Sequence, residues 1–268
     1  MACRRIELSR SRDDGQSSGN MDSRLQIIEL ARYVSPPANC SYIPGETARF
    51  ANMIVPALSP EAYQDLLSRG WRRFGWRFFR PACPACTRCR SLRVPVDRFR
   101  PSRSQRRTMR RNSEIRAVVR EPTVTSEHLA LYNAYHADMH LRRGWPSQAL
   151  SAELYEDTFV RGGGGCAREF LYLDRDTLIG VALVDVLPQA LSSVYFFHDP
   201  RLRASGLGVY SILKQLEFAS SQGIPHQYLG YWVPECQSMA YKSQFRPYEL
   251  LKKYPKERES PIWTQASA

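Results

Sequence analysis

The order of strand-like and helix-like segments in the C-terminal half constrains the fold of this chain more than any other feature. Ser192–His198 (SSVYFFH) is rich in aromatic and β-branched residues and is typical of a strand. A turn containing Gly206 and Gly208 follows it, and Val209–Gln222 then has the pattern of a helix. His226–Val233 is the next predicted strand. This order predicts a domain of the α/β (α+β) class, in which two strands of one sheet flank a connecting helix.

The turn between the first strand and the helix has a spacing that suits phosphate binding. Arg203, Gly206 and Gly208 form an Arg-x-x-Gly-x-Gly pattern, which resembles the pyrophosphate loop of GNAT-type N-acetyltransferases. Glycines let backbone N–H groups approach a phosphate, and the helix N-terminus adds partial positive charge. An ordinary glycine turn is the alternative. The resemblance implies that the two flanking strands separate and that the acyl acceptor enters between them.

Composition divides the chain into four parts. Residues 1–22 are charged and rich in Ser and Gly, which predicts a disordered tail. Residues 23–112 are predicted to form a small N-terminal domain rich in Cys and Arg. Residues 113–258 are predicted to form the GNAT-like domain, and residues 259–268 a second tail.

Local patterns predict further elements inside these parts. A Ser or Pro at the first positions favours a helix start, and a central glycine between aromatic runs favours a hairpin. The predicted elements are a helix over Pro60–Arg69 capped by Ser59, a hairpin over residues 71–81 turning at Gly75, a strand over Ser91–Phe99, helices over Ser126–Arg142 and Pro234–Phe245, and a flexible four-glycine loop over Arg161–Cys166.

Positive charge is concentrated in one short segment. The formal net charge is +12, which favours a polyanionic partner such as nucleic acid. Ser102 can cap a helix whose broad face would be cationic. A solvated surface is the alternative, but charge of one sign repels itself unless a polyanion compensates it. The arginines predicted to bind RNA phosphates are Arg103, Arg106, Arg107, Arg110 and Arg111.

Seven cysteines, an odd number, occur without an apolar leader segment. This favours a reducing, cytoplasmic location, and no apolar run approaches the about 20 residues of a membrane helix. Cys83, Cys86 and Cys89 are separated by two residues each, a spacing that lets neighbouring thiolates reach one metal or cluster. Cys40 is a candidate fourth ligand. Zinc, an iron–sulfur cluster and a reduced cluster that binds nothing all remain open.

Several motifs in a fixed order then resemble the arginyl/leucyl-tRNA–protein transferase family of the N-degron pathway, in its bacterial branch. The likeness extends from about Ile27 to Leu251. Its motifs are CSYIP (40–44), RPACPACTRC (80–89), RVPV (93–96), FRPSRSQRR (99–107), VDVLP (184–188), LGYW (229–232) and YK (241–242).

The resemblance implies a reaction and its partners. Aminoacyl-tRNA would replace CoA as the acyl carrier, and the acceptors would be proteins that begin with Asp or Glu and are thereby marked for degradation. Members donate either leucine or arginine, and the Cys-x-x-Cys-x-x-Cys pattern favours leucine. The acceptor's α-amine is itself the nucleophile, so the transfer requires no cofactor. The sequence does not predict an oligomeric state.

Residues near the predicted strand separation are candidates for the chemistry. Either of two carboxylates would hold the acceptor ammonium and accept its proton, and two cations would bind the acceptor carboxylate or terminal tRNA phosphates. Three aromatic residues would line the pocket, and the glycine turn would contact tRNA. The alternative for residues 230–251 is a packed helix with surface charges. The candidates are Asp185 and Glu235; Lys242 and Arg246; Tyr231, Trp232 and Tyr241; and Arg203, Gly206 and Gly208.

Two other functions fit parts of the sequence. A CoA-dependent N-acetyltransferase is favoured by Arg203–Gly208 alone and predicts saturable CoA binding without tRNA. A zinc-stabilised RNA-binding module is favoured by the cysteines and arginines and predicts salt-sensitive RNA binding without acyl transfer.

Overall fold

The computed structural model describes residues 26–146 and 149–266, so the predicted tail over residues 1–22 lies outside them. The strands are β1 (Ile27–Ile28), β2 (Ala31–Val34), β3 (Ala38–Asn39), β4 (Thr47–Ala48), β5 (Phe50–Ile54), β6 (Ala57–Leu58), β7 (Arg72–Phe74), β8 (Arg77–Pro81), β9 (Arg90–Pro95), β10 (Ile115–Arg120), β11 (Ala167–Asp174), β12 (Thr177–Leu187), β13 (Ala190–His198), β14 (His226–Trp232), β15 (Glu249–Leu251) and β16 (Trp263–Gln265).

The helices alternate with these strands, as the sequence predicts. The α-helices are α1 (Pro60–Ser68), α2 (Arg103–Arg111), α3 (Ser126–Arg143), α4 (Ala152–Tyr155), α5 (Leu207–Ser221) and α6 (Gln237–Ala240). A π-helical turn covers Glu156–Val160, and 3-10 turns cover Gly163–Gly165, Pro200–Ser205 and Tyr241–Gln244. Among the described residues, none of the helices combines the length and apolarity needed to cross a membrane.

A mixed sheet of eight strands forms the body of the protein, in the order β10-β11-β12-β13-β14-β9-β15-β16. Helix α5 packs against it and contributes Leu207, Leu213 and Leu216 to the main core. Every pairing is antiparallel except that of β13 with β14. The predicted α/β class is therefore confirmed.

The parallel pair β13 and β14 separates soon after it begins. It is hydrogen-bonded only from Ala190↔His226 to Ser192↔Tyr228, although β13 continues to His198 and β14 to Trp232. We call the opening beyond this last pair the strand gap. It lies between the two strands for which the sequence predicts a separation.

A smaller sheet with the order β2-β5-β8-β7 packs beside the main one. Its core joins Met53, Phe78 and Tyr63 of α1 to Leu187 and Tyr228 of the large sheet. The predicted hairpin is confirmed, because β7 and β8 pair across Gly75, which has φ +56°.

The segment predicted as an N-terminal domain, residues 23–112, is distributed over both sheets. Strand β9 lies between β14 and β15, where Leu92 and Val94 are completely buried. This strand ends at Pro95, a position that suits proline because it has no N–H to donate within the sheet. The predicted tail over residues 259–268 is also corrected in part, since β16 pairs with β15 at the sheet edge.

Helix starts follow the predicted capping residues. The Ser59 side chain accepts a hydrogen bond from the Ala62 N–H at the start of α1. Ser102 and Gln105 form a reciprocal capping box at the start of α2. The predicted helix over Pro234–Phe245 is wrong, because the segment forms only α6 and a 3-10 turn. Neither piece has a buried residue, so no apolar face stabilises a longer helix.

The four-glycine segment is packed against the hairpin, which corrects the prediction of a flexible loop. A Cβ on Gly162 would lie 2.4 Å from the Gly75 carbonyl oxygen, and one on Gly163 would lie 2.7 Å from Arg73 Nη2. Both glycines have positive φ. Glycine is required here by close approach as well as by backbone conformation.

Candidate functional site

The strand gap contains an arginine from the small sheet. Arg72 lies on β7, and its Nη2 donates a hydrogen bond to the carbonyl of Ser193, just past the last β13–β14 pair. Gly230 lies opposite, at φ +81° and at a register shift between β14 and β9. A Cβ there would lie 3.6 Å from Arg72 Nη2. That distance is an ordinary van der Waals contact, so the positive φ, and not the guanidinium, requires glycine at this bulge.

Lys242 brings a second cation to the same gap. Its Nζ donates a 2.6 Å hydrogen bond to the Tyr231 carbonyl. Burial, and after it the charge of Arg72, lowers the pKa of the Lys242 ammonium to about 7. Among the described residues, no carboxylate forms an ion pair with Arg72 or Lys242. The gap is therefore electropositive and uncompensated.

Asp185 lies outside the gap, in a closed contact between the sheets. Arg73 Nε donates to Asp185 at 3.0 Å, its Nη2 makes a second bond, and the Tyr63 hydroxyl donates a third. Asp185 is completely buried. The prediction that it holds the acceptor ammonium is corrected, because its oxygens are already paired with Arg73 and Tyr63 and do not face solvent.

Glu235, the other predicted catalytic carboxylate, lies near the cysteine segment. It forms a 3.4 Å ion pair with Arg88, and both side chains are about half exposed. The structure therefore does not bring Asp185 and Glu235 together as an acid–base pair.

The aromatic candidates have different environments. Tyr231 is buried, and its hydroxyl donates to the carbonyls of Gly70 at 3.1 Å and Phe79 at 2.9 Å. It joins the sheets instead of lining a pocket. Trp232 packs near Tyr248, and its ring nitrogen is buried without a partner among the described residues. Tyr241 is half-buried, and burial raises its pKa to about 12.

Arg246 follows the 3-10 turn that carries Lys242. It is exposed, and no side-chain partner is present for it within residues 26–146 and 149–266. Its exposure leaves it available to a ligand, but the structure shows no contact between it and the gap.

An aromatic cluster lies on β13 beyond the gap, and the sequence did not predict it as a site. His136 Nε2 and the Tyr195 hydroxyl are 2.9 Å apart, and the His136 ring stacks on Tyr132 at 4.1 Å. Burial lowers the pKa of His136, which favours the neutral ring. In the sequence, only the aromatic residues of α3 and β13 point to this cluster, and such residues are equally typical of a hydrophobic core.

Helix α2 covers the glycine turn. Arg111 Nη1 donates to the Ala204 carbonyl at 2.8 Å, and Asn112 donates to the Ser205 carbonyl at 3.0 Å. Gly206 has φ +74° and precedes α5, and Gly208 packs against Phe196. Arg111 is thus engaged in holding the glycine turn in place.

The other arginines of α2 face outward. Gln105 is the only buried residue of the helix, and Arg106 bonds the Pro101 carbonyl at 2.6 Å. Arg103, Arg107 and Arg110 are exposed and have no side-chain partner among the described residues. Arg203 is held by Asp138 at 3.3 Å. The predicted cationic face is therefore present.

The four predicted metal ligands line one cavity of about 420 Å³. Backbone N–H groups of Tyr42 and Arg49 donate to the sulfurs of Cys40 and Cys83, each at 3.4 Å. Burial and the neighbouring thiols raise the pKa of Cys89 to about 12. Over the described residues, no three His, Cys, Asp or Glu side chains are close enough to hold one ion. Cys40, Cys83, Cys86 and Cys89 share a cavity without forming a closed ligand set.

The sequence of the two halves matches one family of transferases that use aminoacyl-tRNA. Residues 38–107 match the family described as "Arginine-tRNA-protein transferase, N terminus", and residues 127–252 match "Arginine-tRNA-protein transferase, C terminus". This chain belongs to the arginine-tRNA-protein transferase family.

Curated relatives carry a more specific name. The chain is 38% identical over 236 residues to the aspartate/glutamate leucyltransferase of Helicobacter hepaticus, covering 88% of this chain and 98% of the relative. It is 41% identical over 217 residues to the aspartate/glutamate leucyltransferase of Halorhodospira halophila, covering 79% and 90%. Among solved structures, FemX is similar with a TM-score of 0.48 and 14% identity, over 77% of this chain and 70% of that one.

Proposed function

We propose that this protein transfers leucine from leucyl-tRNA to the α-amine of proteins whose first residue is Asp or Glu. The observation that carries the proposal is the match over 98% of the length of the Helicobacter hepaticus leucyltransferase. The uncompensated cations of the strand gap support it, because an acidic first residue would supply the missing negative charge. Aminoacyl-tRNA is the co-substrate, and the reaction is assigned to the cytoplasm, where that co-substrate is made.

The reaction needs one acyl transfer. The neutral acceptor amine attacks the ester carbonyl carbon, a C–N bond forms, and the ester C–O bond breaks. The ribose oxygen leaves and takes up the proton that the amine loses. The unperturbed pKa of an α-amine is about 7.7–8.0, so a useful fraction is neutral without a strong base. Alignment of amine and ester is the main contribution expected from the protein, and no cofactor is required.

In this proposal the strand gap positions the acceptor and the cationic face of α2 binds tRNA. The strand, glycine turn and helix are assigned to a GNAT-like domain in which tRNA replaces CoA. Contacts of Arg111 and Asn112 with the turn support this assignment, because they place α2 and its exposed arginines beside it. Lys242 and Arg246 are assigned to anionic groups of the substrates.

The experiment measures transfer of radiolabelled leucine from charged tRNA to peptides that begin with Asp, Glu or Ala and are otherwise identical. We expect labelling of the Asp and Glu peptides only. No labelling by a folded protein would refute the proposal.

Arginine is the second candidate donor, because the matching family description names arginine. The same assay with charged arginyl-tRNA separates the two. Transfer of arginine but not leucine would retain the reaction and change the donor.

We further propose that the cysteine cavity binds zinc or an iron–sulfur cluster. The donor chemistry fits, since four thiols line one cavity and backbone N–H groups already donate to two sulfurs, and the thiols would have to move closer together to bind one ion or cluster. Protein purified without oxygen should contain metal, and Cys86→Ser should lose it. Cys166→Ser is the matched control, because Cys166 is buried elsewhere. Equal metal content in both variants would contradict the proposal.

A further inference from the structure

Arg72 is a buried cation with an unused donor. Its exposed fraction is 8%, and Nη2 is occupied by the Ser193 carbonyl. Its Nη1 is buried and has no hydrogen-bond partner among the described residues. A buried charged donor without a partner is unfavourable, because it has lost water and gained nothing in exchange. Such a group in a gap is well suited to a ligand that supplies the partner.

The surroundings of Arg72 define what that ligand must be. Gly230 lies beside the guanidinium, and Lys242 is bonded to the carbonyl of the next residue, Tyr231. The two cations therefore lie against adjacent residues of β14. A group with full negative charge and at least two acceptor oxygens would satisfy both.

The position of the gap favours a chain end. It opens between two adjacent strands of one sheet, beyond the pair Ser192↔Tyr228. The side chain of a first residue can enter such an opening together with its amine. A phosphodiester is flanked by nucleotides on both sides, and the exposed arginines of α2 already provide an open surface for phosphates.

We propose that Arg72 binds the side-chain carboxylate of the acceptor's first residue and thereby determines the preference for Asp and Glu. This inference rests on the proposed function for its choice of ligand. A carboxylate accepts from Arg72 Nη1 and from Lys242 at once. Asn and Gln have nearly the same shape but carry no charge and present N–H groups to the cations, so they bind less well.

The test measures binding without tRNA. Peptides beginning with Asp, Glu, Asn or Gln, identical elsewhere and labelled with fluorescein at the C-terminus, are titrated with the full-length protein, and anisotropy gives each Kd. For Arg72→Gln we expect Asp and Glu peptides to bind about 10- to 100-fold more weakly, the range for loss of a hydrogen bond between charged groups. Asn and Gln peptides should bind as before. Arg72→Lys should recover part of the preference because it retains the charge.

Arg77→Gln is the matched control. Arg77 lies on the other strand of the same hairpin, is exposed, and contacts the ring of Phe79. This variant should keep the wild-type preference. The KM for leucyl-tRNA, measured in the transfer assay, should be unchanged in Arg72→Gln, which also shows that the variant is folded.

The outcomes separate this inference from the proposed function. Undiminished preference in Arg72→Gln, equal weakening of all four peptides, or a raised KM for leucyl-tRNA with unchanged peptide binding would each overturn the inference. The last result would assign Arg72 to a tRNA phosphate. Wild-type protein that prefers acidic peptides but transfers no leucine would refute the proposed function alone.

Discussion

Arg72 and Arg73 are neighbours on one short strand, yet they meet opposite electrostatic environments. Arg73 enters a contact where Asp185 accepts two of its hydrogen bonds, and the Tyr63 hydroxyl donates to the same carboxylate. Arg72 enters the strand gap, where a backbone carbonyl is its only partner among the described residues and Lys242 adds like charge. The protein thus supplies its own carboxylate where the sheets are joined and leaves one out where a substrate is expected to enter.

Asp185→Ala removes the carboxylate that pairs with Arg73 and tests how much this contact stabilises the protein. Removing the carboxylate leaves a buried guanidinium without its counter-charge, and we expect a loss of about 3–5 kcal/mol in the free energy of unfolding. Urea denaturation measures it. Asp176→Ala is the control, because its ion pair with Arg116 is exposed, and it should change stability by about 1 kcal/mol or less. A stable but inactive Asp185→Ala variant would restore Asp185 as a catalytic residue.

The exposed arginines of α2 extend the comparison to cations that require no protein partner. In the triple variant Arg103→Gln, Arg107→Gln, Arg110→Gln, tRNA binding should weaken by about 100-fold at low salt, and the slope of log Kd against log salt should fall by about 2 to 3. Filter binding over a salt series measures both.

A second triple variant controls for net charge. Arg175→Gln, Lys256→Gln and Arg258→Gln remove three exposed cations outside α2. An equal effect in this variant would indicate nonspecific attraction instead of a site on the helix.

The preference for acidic peptides at the strand gap should depend on pH. Because the pKa of Lys242 is lowered to about 7, its cation predominates below that pH and is lost as pH rises through it. The ratio of Asp-peptide to Asn-peptide affinity should therefore fall roughly tenfold between pH 6 and pH 8. The α-amine titrates alike in both peptides and cancels in the ratio.

Lys242→Arg provides the comparison, since a guanidinium keeps its charge over this range. We expect the ratio to be flat in that variant. A parallel fall in wild type and Lys242→Arg would show that another group titrates.

The smallest effect is expected at Glu235. Both side chains of its ion pair with Arg88 are about half exposed, so Glu235→Gln should change the free energy of unfolding by less than about 1 kcal/mol. The rate of leucine transfer should stay within about twofold of wild type, because substitution of a surface charge has a small effect. A loss of kcat with unchanged KM would instead make Glu235 a catalytic residue.

The sequence predicts those parts of the fold that depend on neighbouring residues. Ser59 and Ser102 cap helices because their partners lie three residues away. The strands β13 and β14 are predicted within two residues at each end because their apolar and aromatic runs are continuous. The cationic face of α2 follows from helical periodicity alone.

The site itself depends on contacts that the sequence does not contain. Arg72 and Ser193 are 121 positions apart, and Arg73 and Asp185 are 112 apart. Nothing local distinguishes the two arginines in the string WRRF. The sequence predicts a catalytic role for Asp185 from its residue type, and only the fold shows that Arg73 neutralises it. The sequence predicts a flexible loop at the four glycines because the hairpin that packs on them is distant in sequence.

The place of β9 in the large sheet has a consequence for how the protein is made. This strand leaves the ribosome long before β14 and β15, the two strands that will cover its edges. At about 5–20 residues per second, the interval is on the order of ten seconds. Leu92 and Val94, completely buried in the finished sheet, lack these partners throughout that interval. The nascent chain therefore carries an apolar strand with two unpaired edges, and slower synthesis would lengthen its exposure to aggregation.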